Sequence, residues 1–259
     1  MSRKSHDTVV DRQFGPQARS YLTSAVHAQG ADLDALADEI GTRPQARLLD
    51  LGCGGGHVGF RLAGQVAEVV ALDLSAQMLE VVGQEARRRG LANLVTRQGA
   101  AEALPFDDAS FDLVVSRFSA HHWHDFPAGL KEARRVLKSG GTAVFMDVVA
   151  PETPLFDTWL QSLELLRDPS HVRNYPVSLW KTVLEAAGFA PGAVTGRRLR
   201  LEFASWVARM NTPPAHVTAI RSLQGLADDG VRDHFAFEAD GSFTIDTMSM
   251  SARAVGTGG

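Results

Sequence analysis

The sequence predicts a doubly wound α/β fold, a mostly parallel sheet with helices on both faces. Three observations carry that expectation. From about Ala46, short apolar runs alternate with amphipathic stretches. Parallel strands need helical crossovers, and right-handed crossovers put helices on both sides of one sheet. The first apolar run ends in Gly52-Cys53-Gly54-Gly55-Gly56, a glycine turn that leads into a helical pattern. The second ends in Asp73, about 20 residues past the turn, where a nucleoside-binding sheet of this type places a ribose-binding acid.

Taken in order, residues 46–51 read as a buried strand closed by the glycines. Residues 57–65 read as a helix, because Val58, Leu62 and Val66 share one face. Residues 68–73 are the second strand. Ser75 is placed to N-cap a helix through Arg89, with Met78, Leu79 and Val82 at helical spacing and Gly90 as its stop. Residues 94–98 and 111–117 are the third and fourth strands. A helix over 128–137, terminated by Ser139-Gly140-Gly141, precedes a fifth strand at 142–149. After Pro151 the pattern changes, with helices at 155–166 and 179–187, the second ended by Gly188. In residues 193–201 Arg198 and Arg200 alternate with Leu199 and Leu201, as on an edge strand. Helical stretches near 205–210 and 215–226 precede a long alternating strand at 242–255. Two helical segments fall within residues 14–40.

No repeat or low-complexity linker divides the chain. Residues 46–259 are therefore expected to form one domain, with helical cap insertions at about 151–190 and 203–240. Residues 1–45 are expected to form an N-terminal helical segment that covers the site at the glycine turn. At 259 residues with 44% hydrophobic and 22% charged side chains, the chain buries a core without disulfides or metals. The net charge of −4 excludes a general basic field for nucleic acid. Arg87-Arg88-Arg89 reads as a solvated helix end, and Arg197-Arg198 as part of the charged edge strand. Cys53 is the single cysteine, which excludes an internal disulfide and fits a reducing compartment. The polar first 13 residues lack a signal-peptide core, and the apolar run 142–150, broken by Asp147, is too short to span a bilayer. The expectation is a cytoplasmic protein, monomer or homodimer, without membrane insertion.

The glycine turn is a nucleotide-type site on residue chemistry alone. Glycines allow positive φ and close ligand approach, and the helix beyond offers free N–H groups and a positive dipole end. Asp50, two residues before the first glycine, suits a ligand carrying an ammonium and a sulfonium and suits a diphosphate badly. The third glycine of the dinucleotide fingerprint falls at His57, which argues against NAD and an oxidoreductase.

The chain resembles class I S-adenosylmethionine-dependent methyltransferases of the type 11 family, related to enzymes of ubiquinone and menaquinone biosynthesis. The resemblance rests on Leu49-Asp50-Leu51-Gly52-Cys53-Gly54, then Leu72-Asp73-Leu74-Ser75 with Met78-Leu79. Further on come Ala101-Glu102-Ala103-Leu104-Pro105-Phe106, Ser110-Phe111-Asp112, Ser116-Arg117-Phe118 and Arg135-Val136-Leu137-Lys138, in order over roughly 48–147. Gly52-x-Gly54-x-Gly56 is this family's spacing. Weaker similarity to a bacterial subgroup lies at Phe14-Gly15, Tyr21 and 167–173. The resemblance implies a Rossmann-like sheet of seven strands, the last antiparallel, binding S-adenosylmethionine. It implies that Gly52, Gly54 and Gly56 line the methionine part while Asp50 organises the turn. Asp73 holds the ribose, with Leu74 and Met78 against the adenine, Ala101 and Glu102 at its edge, and Ser116 and Phe118 at the mouth of the fourth strand. Where the family often carries Asp, this chain has Ala100, which leaves adenine to backbone contacts at Ala100 and Ala101. Tyr21 either closes over the cofactor or packs within a helix.

Methyl transfer is an in-line displacement, so the protein aligns the reactants and needs a base only if the acceptor must lose a proton. His121 and His122, followed by Trp123 and His124, lie just after the fourth strand, at the sheet edge where ligands bind. They are the candidate bases; packing or capping is the competing role for each. His121-x-x-His124 lacks the further ligands of a metal site, and Cys53 reads as a small residue in a tight turn. His171 either touches the acceptor or is structural. The expected partner is a small-molecule acceptor, partly apolar if Phe156, Trp159, Leu163 or Trp180 line its pocket rather than the core. A non-catalytic cofactor-binding regulator is the other reading.

Overall fold

The computed structural model describes residues 5–18, 22 and 30–256. Ser5 starts a helix, α1 (His6–Phe14), by accepting from Thr8 N. The sequence pattern gave no sign of α1, because it buries none of its residues and has no apolar stripe to read. The helix α2 (Ala31–Ile40) turns Leu33, Leu36, Ala37 and Ile40 inward. Most of the other helical segment expected within 14–40, Tyr21 included, lies outside the described residues.

The doubly wound unit then follows: β1 (Arg43–Leu51), α3 (His57–Leu62), β2 (Val66–Asp73), α4 (Ala76–Arg88), β3 (Leu94–Gln98), β4 (Phe111–Arg117), α5 (Phe126–Val136) and β5 (Leu137–Val148). After it come α6 (Pro154–Arg167), α7 (Val177–Ala186), β6 (Phe189–Leu201), α8 (Phe203–Arg209), α9 (Pro214–Leu226), α10 (Asp229–Phe235) and β7 (Phe243–Ala254). The strands form one seven-stranded sheet in the order β3-β2-β1-β4-β5-β7-β6. β1 to β5 are parallel, and β7 is antiparallel to both its neighbours. β6 is an edge, as its alternating arginines suggested; Arg198 pairs with Asp246 and Arg200 with Glu238.

Side chains alternate between two cores, as strand geometry requires. Leu49, Val70, Val114 and Phe145 face α5 and α7, where Phe126, Leu130 and Trp180 pack. Leu48, Val69, Leu113 and Val144 face α2, α3 and α4, meeting Leu36, Val58 and Val82. A third core joins α6, α8, α9 and α10 to the ends of β6 and β7 through Leu163, Trp206, Ile220, Phe235 and Phe243. Trp180 and Leu163 are thus core residues.

Three expectations need correction. Ser139-Gly140-Gly141 does not end α5. The helix stops at Val136, and β5 begins at once, pairing Leu137 with Phe111 and then Thr142 with Leu113. Residues 138–141 are the bulge between those pairs, and Gly140 supplies the positive φ of +71°. Ser75 sits at the N-cap position of α4 but makes no capping bond; its Oγ is buried without a partner. The cap insertion at 203–240 holds a third helix, α10, besides the two expected; it gives little periodic signal, since only Val231 and Phe235 are buried in it. Among the described residues, no helix is long and apolar enough to cross a membrane.

The sheet order reverses between β1 and β4, so the carboxyl ends of β1, β2 and β4 open a crevice there. Asp50, Asp73 and Arg117 stand at that rim.

Candidate active site

The turn after β1 is pinned by two bonds to one carbonyl. Gly52 N and Cys53 N donate to Leu72 O at 2.9 and 2.8 Å. Gly52 has φ +71°, and a Cβ there would lie 1.9 Å from Ser119 Oγ. Gly54 has φ +47°, and a Cβ there would meet nothing within 4 Å. The first glycine is therefore needed for close packing and the second for backbone conformation beside open space.

Asp73 braces the same turn from β2. Its Oδ2 accepts from Gly54 N at 2.9 Å and its Oδ1 from Ser75 N at 3.0 Å. Burial pushes the carboxyl above its ordinary value, and these N–H groups offset part of the effect. Asp50 accepts from Gly59 N at 2.9 Å, tying β1 to α3. It is 1% exposed, and burial pushes its carboxyl up to about 7. Arg117, at the end of β4, donates to Asp32 Oδ2 at 2.7 Å; their side chains are 5% and 17% exposed. This ion pair clips α2 to the rim of the sheet.

These groups surround a cleft with about 1010 Å³ of empty space, mouth included. Asp50, Gly52, Gly54, Asp73, Leu74, Met78, Ala100, Ala101, Glu102, Phe118 and His122 line it. Gly56 and Ser116, expected there, do not; Ser116 is buried within β4. The cleft also takes His6, Asp7, Val10 and Phe14 from α1, none of which the sequence marks as a site residue. Among the described residues, four carboxylates line the cleft, Asp7, Asp50, Asp73 and Glu102, and the one Arg or Lys is Arg117, paired with Asp32. Such a donor set suits an ammonium and a sulfonium and repels a diphosphate.

The histidines stand beside the cleft on a 3-10 turn, Ala120–His122. Phe118 leads into it with φ +53°, strained for a bulky residue and held by its N–H on Met146 O at 2.8 Å. Asp147 anchors the turn from β5: Oδ2 accepts from Ala120 N at 3.0 Å, and Oδ1 lies 2.6 Å from His121 Nδ1. Burial alone would lower the His121 pKa, but Asp147, through its charge and this bond, holds it above the ordinary value. Nδ1 is thereby assigned as the donor, and no described residue bonds to Nε2. Asp147 is the functional residue missed in the sequence, although an acid inside the apolar run 142–150 was its signal.

His122 differs from its neighbour. Its Nδ1 donates to Ser170 O at 3.1 Å, and its carbonyl accepts from His6 Nε2 at 2.8 Å. Burial and the adjacent His121 push it down to about 4, so it stays neutral. His171 bonds Gln161 Oε1 through Nε2 at 2.8 Å, and burial takes it to about 2. His124 lines the cleft instead, its Nδ1 2.9 Å from Glu102 Oε1. His121 and His124 therefore do not converge, and among the described residues no group of three or more His, Cys, Asp or Glu could hold a metal.

His121 does not line the cleft itself. It lines a second chamber of about 610 Å³, which shares Phe14, Phe118 and His122 with the cleft. His121 thus faces only the second space, while His122 stands on the wall between the two.

Comparison with known proteins agrees with this geometry. A family model described as "Methyltransferase domain" (type 11) matches residues 49–145, from the glycine turn into β5. The chain is 51% identical to the uncharacterized protein YafE of Escherichia coli K12 over 198 residues, covering 76% of this chain and 96% of that one. It is 35% identical to the uncharacterized methyltransferase YcgJ of Bacillus subtilis, covering 86% and 88% of the two chains. The crystal structure of YcgJ superimposes with a TM-score of 0.83 at 32% identity, over 86% of this chain and 98% of that one. A 2-phytyl-1,4-naphtoquinone methyltransferase of Synechococcus elongatus is 36% identical over 123 residues, 46% of this chain and 53% of that protein. Whole-length likeness to YcgJ, a family match beginning at the glycine turn, and an acid-lined cleft agree: the chain belongs to the class I S-adenosylmethionine-dependent methyltransferases of type 11.

Proposed function

We propose that the chain methylates a small, partly apolar molecule, with the cofactor in the glycine cleft and His121 as the proton acceptor. The observation that carries this reading is the pairing of two adjoining spaces. One is walled by carboxylates and glycines, and the other holds an imidazole oriented by a buried carboxylate.

Bound S-adenosylmethionine supplies an electrophilic methyl group on a sulfonium. The chain's own residues do the rest. Asp73 keeps a lone pair on each oxygen for the ribose hydroxyls while its N–H contacts keep the turn closed. Gly52 and Gly54 let the methionine part approach the backbone, and Asp50 adds negative potential near the ammonium. Leu74, Met78, Ala100, Ala101 and Glu102 flank the adenine. Gly56 acts through the turn rather than by contact. Phe118 separates the two spaces, and α1 with the rest of residues 1–45 covers the cofactor. His121 accepts a proton at Nε2, and Asp147 holds its tautomer and neutralises the imidazolium. His122, neutral and hydrogen-bonded to Ser170, is a packing element of the dividing wall.

The quinone-methylating relative makes an aromatic, oxygen-bearing acceptor the first class to try. The acidic balance argues against nucleic acid. The single cysteine, buried and reduced, fits a cytoplasmic monomer or homodimer. Incubation with methyl-labelled cofactor and a small-molecule extract tests the reading. Label should appear in an organic-soluble small molecule. Label only in RNA or protein, or none despite bound cofactor, would overturn it.

A further inference from the structure

We infer that Asn174 and Asp168 are the recognition pair for the methyl acceptor, and that the acceptor is a neutral compound with an apolar body, a reacting hydroxyl and a second oxygen or nitrogen group. This rests on the reading of the second chamber as the place where the acceptor meets His121.

Both residues line that chamber and are 1% exposed. Both amide atoms of Asn174 and the Oδ2 of Asp168 are buried with no hydrogen-bond partner. A buried polar atom left without a partner costs about 1–3 kcal/mol, so three together around one space call for a ligand or ordered water. Local structure does not explain them. The backbone N–H and carbonyl of Asn174 are already bonded to Gln161, at 3.1 and 2.9 Å, so its side chain caps nothing. Asp168 uses Oδ1 on Ser170, from both N–H and hydroxyl, and leaves Oδ2 idle. Oδ2 lies 4.0 Å from His122 Nε2, too far for a hydrogen bond.

The segment is tied to the proposed base. Val172 N and Arg173 N donate to His121 O at 2.9 and 3.2 Å, so the recognition pair and the imidazole sit on one rigid unit. The opposite walls are apolar, from Val148, Leu199, Leu201 and Ile245, with Trp206 beside them. Among the described residues that line the chamber, Glu164 and Asp168 balance Arg167 and Arg209, so these four favour neither an ammonium nor a carboxylate. An amide offers a donor and an acceptor, and a carboxylate oxygen an acceptor. Together they match a hydroxyl and a second heteroatom.

The reaction balances with these groups. The acceptor O–H bond breaks and its proton passes to His121 Nε2. The oxygen pair forms the O–CH3 bond, and the S–CH3 pair stays on sulfur, so the sulfonium charge ends on the imidazolium. Asp147 faces that charge, and the proton leaves to solvent.

The test is calorimetric titration of protein saturated with S-adenosylhomocysteine, using 2,3-dihydroxynaphthalene, 2-naphthol and naphthalene as probes. The expected order of affinity is two hydroxyls, then one, then none. Asn174→Leu should weaken 2,3-dihydroxynaphthalene by about tenfold or more and leave naphthalene unchanged. Leu199→Trp, which fills the chamber, should weaken all three without changing the S-adenosylhomocysteine Kd. Equal affinities for the three probes, no binding of any, or an unaltered affinity for 2,3-dihydroxynaphthalene in Asn174→Leu would overturn the inference. Failure of S-adenosylhomocysteine itself to bind would overturn the cofactor reading instead.

Discussion

Asp73 spends both oxygens on the turn it serves, Gly54 N on one and Ser75 N on the other. Asp73→Ala therefore removes both the brace and the ribose contact. It should weaken S-adenosylhomocysteine by about 1.5–3 kcal/mol, measured by calorimetry; an unchanged Kd would refute the ribose role. His121 leads to a pH prediction. It accepts a proton only when neutral, and Asp147 raises its pKa, so turnover should rise with pH through a midpoint above 6.5. Asp147→Asn removes the charge, and the midpoint should fall as kcat drops, with cofactor Kd nearly unchanged. A pH profile identical to wild type would remove Asp147 as positioning residue. The histidine pair was legible in the sequence because it follows a strand at the ligand edge. Which of the two faces the acceptor was not, because that depends on a carboxylate 26 residues away in β5.

At the scale of elements, the glycine turn is the most constrained. Gly52→Ala combines a positive φ with a Cβ 1.9 Å from Ser119 Oγ. A strained conformation of this kind costs about 1–3 kcal/mol, and cofactor binding should fall accordingly. Gly64→Ala, where a Cβ meets nothing within 4 Å, should leave binding intact and serves as control. Helix α1 buries none of its residues, yet supplies His6, Asp7, Val10 and Phe14 to the cleft. Its stability should depend on what it covers. Amide exchange in residues 6–14 should slow when S-adenosylhomocysteine binds; exchange that is indifferent to ligand would deny it a covering role. Strands β1, β2, β4 and β5 were legible because burial on both faces leaves continuous apolar runs, and β6 and β7 because their residues alternate. Helices α1 and α10 were not, since one is held by Ser5 and by contacts from His6 and Gln13, and the other by two apolar anchors. The junction at 136–137 was misread because glycines that look like a helix stop are used in a strand bulge.

The whole molecule carries an acid sensitivity in its buried histidines. His171 is held near 2 and His122 near 4, below the ordinary value of 6.5. Below pH 6.5 the unfolded chain binds protons that the folded chain refuses, so each contributes stability that is lost as pH falls. His171→Gln keeps a donor for Gln161 and removes one such group. Urea unfolding from pH 7.5 to 4.5 should show the variant losing less stability than wild type as pH falls; parallel curves would contradict the burial argument. The architecture was readable from alternation and the glycine turn together. The acceptor chamber was not, because its walls come from α1, the turn after β4, β5, α6 and the loop after it, β6, α8 and β7, far apart in sequence.

The central claim is that the acid-lined turn at the carboxyl ends of β1 and β2 seats a sulfonium nucleoside. A crystal structure grown with S-adenosylhomocysteine tests it most directly. The ribose hydroxyls should lie on Asp73 and the aminoacyl chain along Gly52 and Gly54. An empty cleft at saturating ligand, or a dinucleotide seated there in its place, would contradict it.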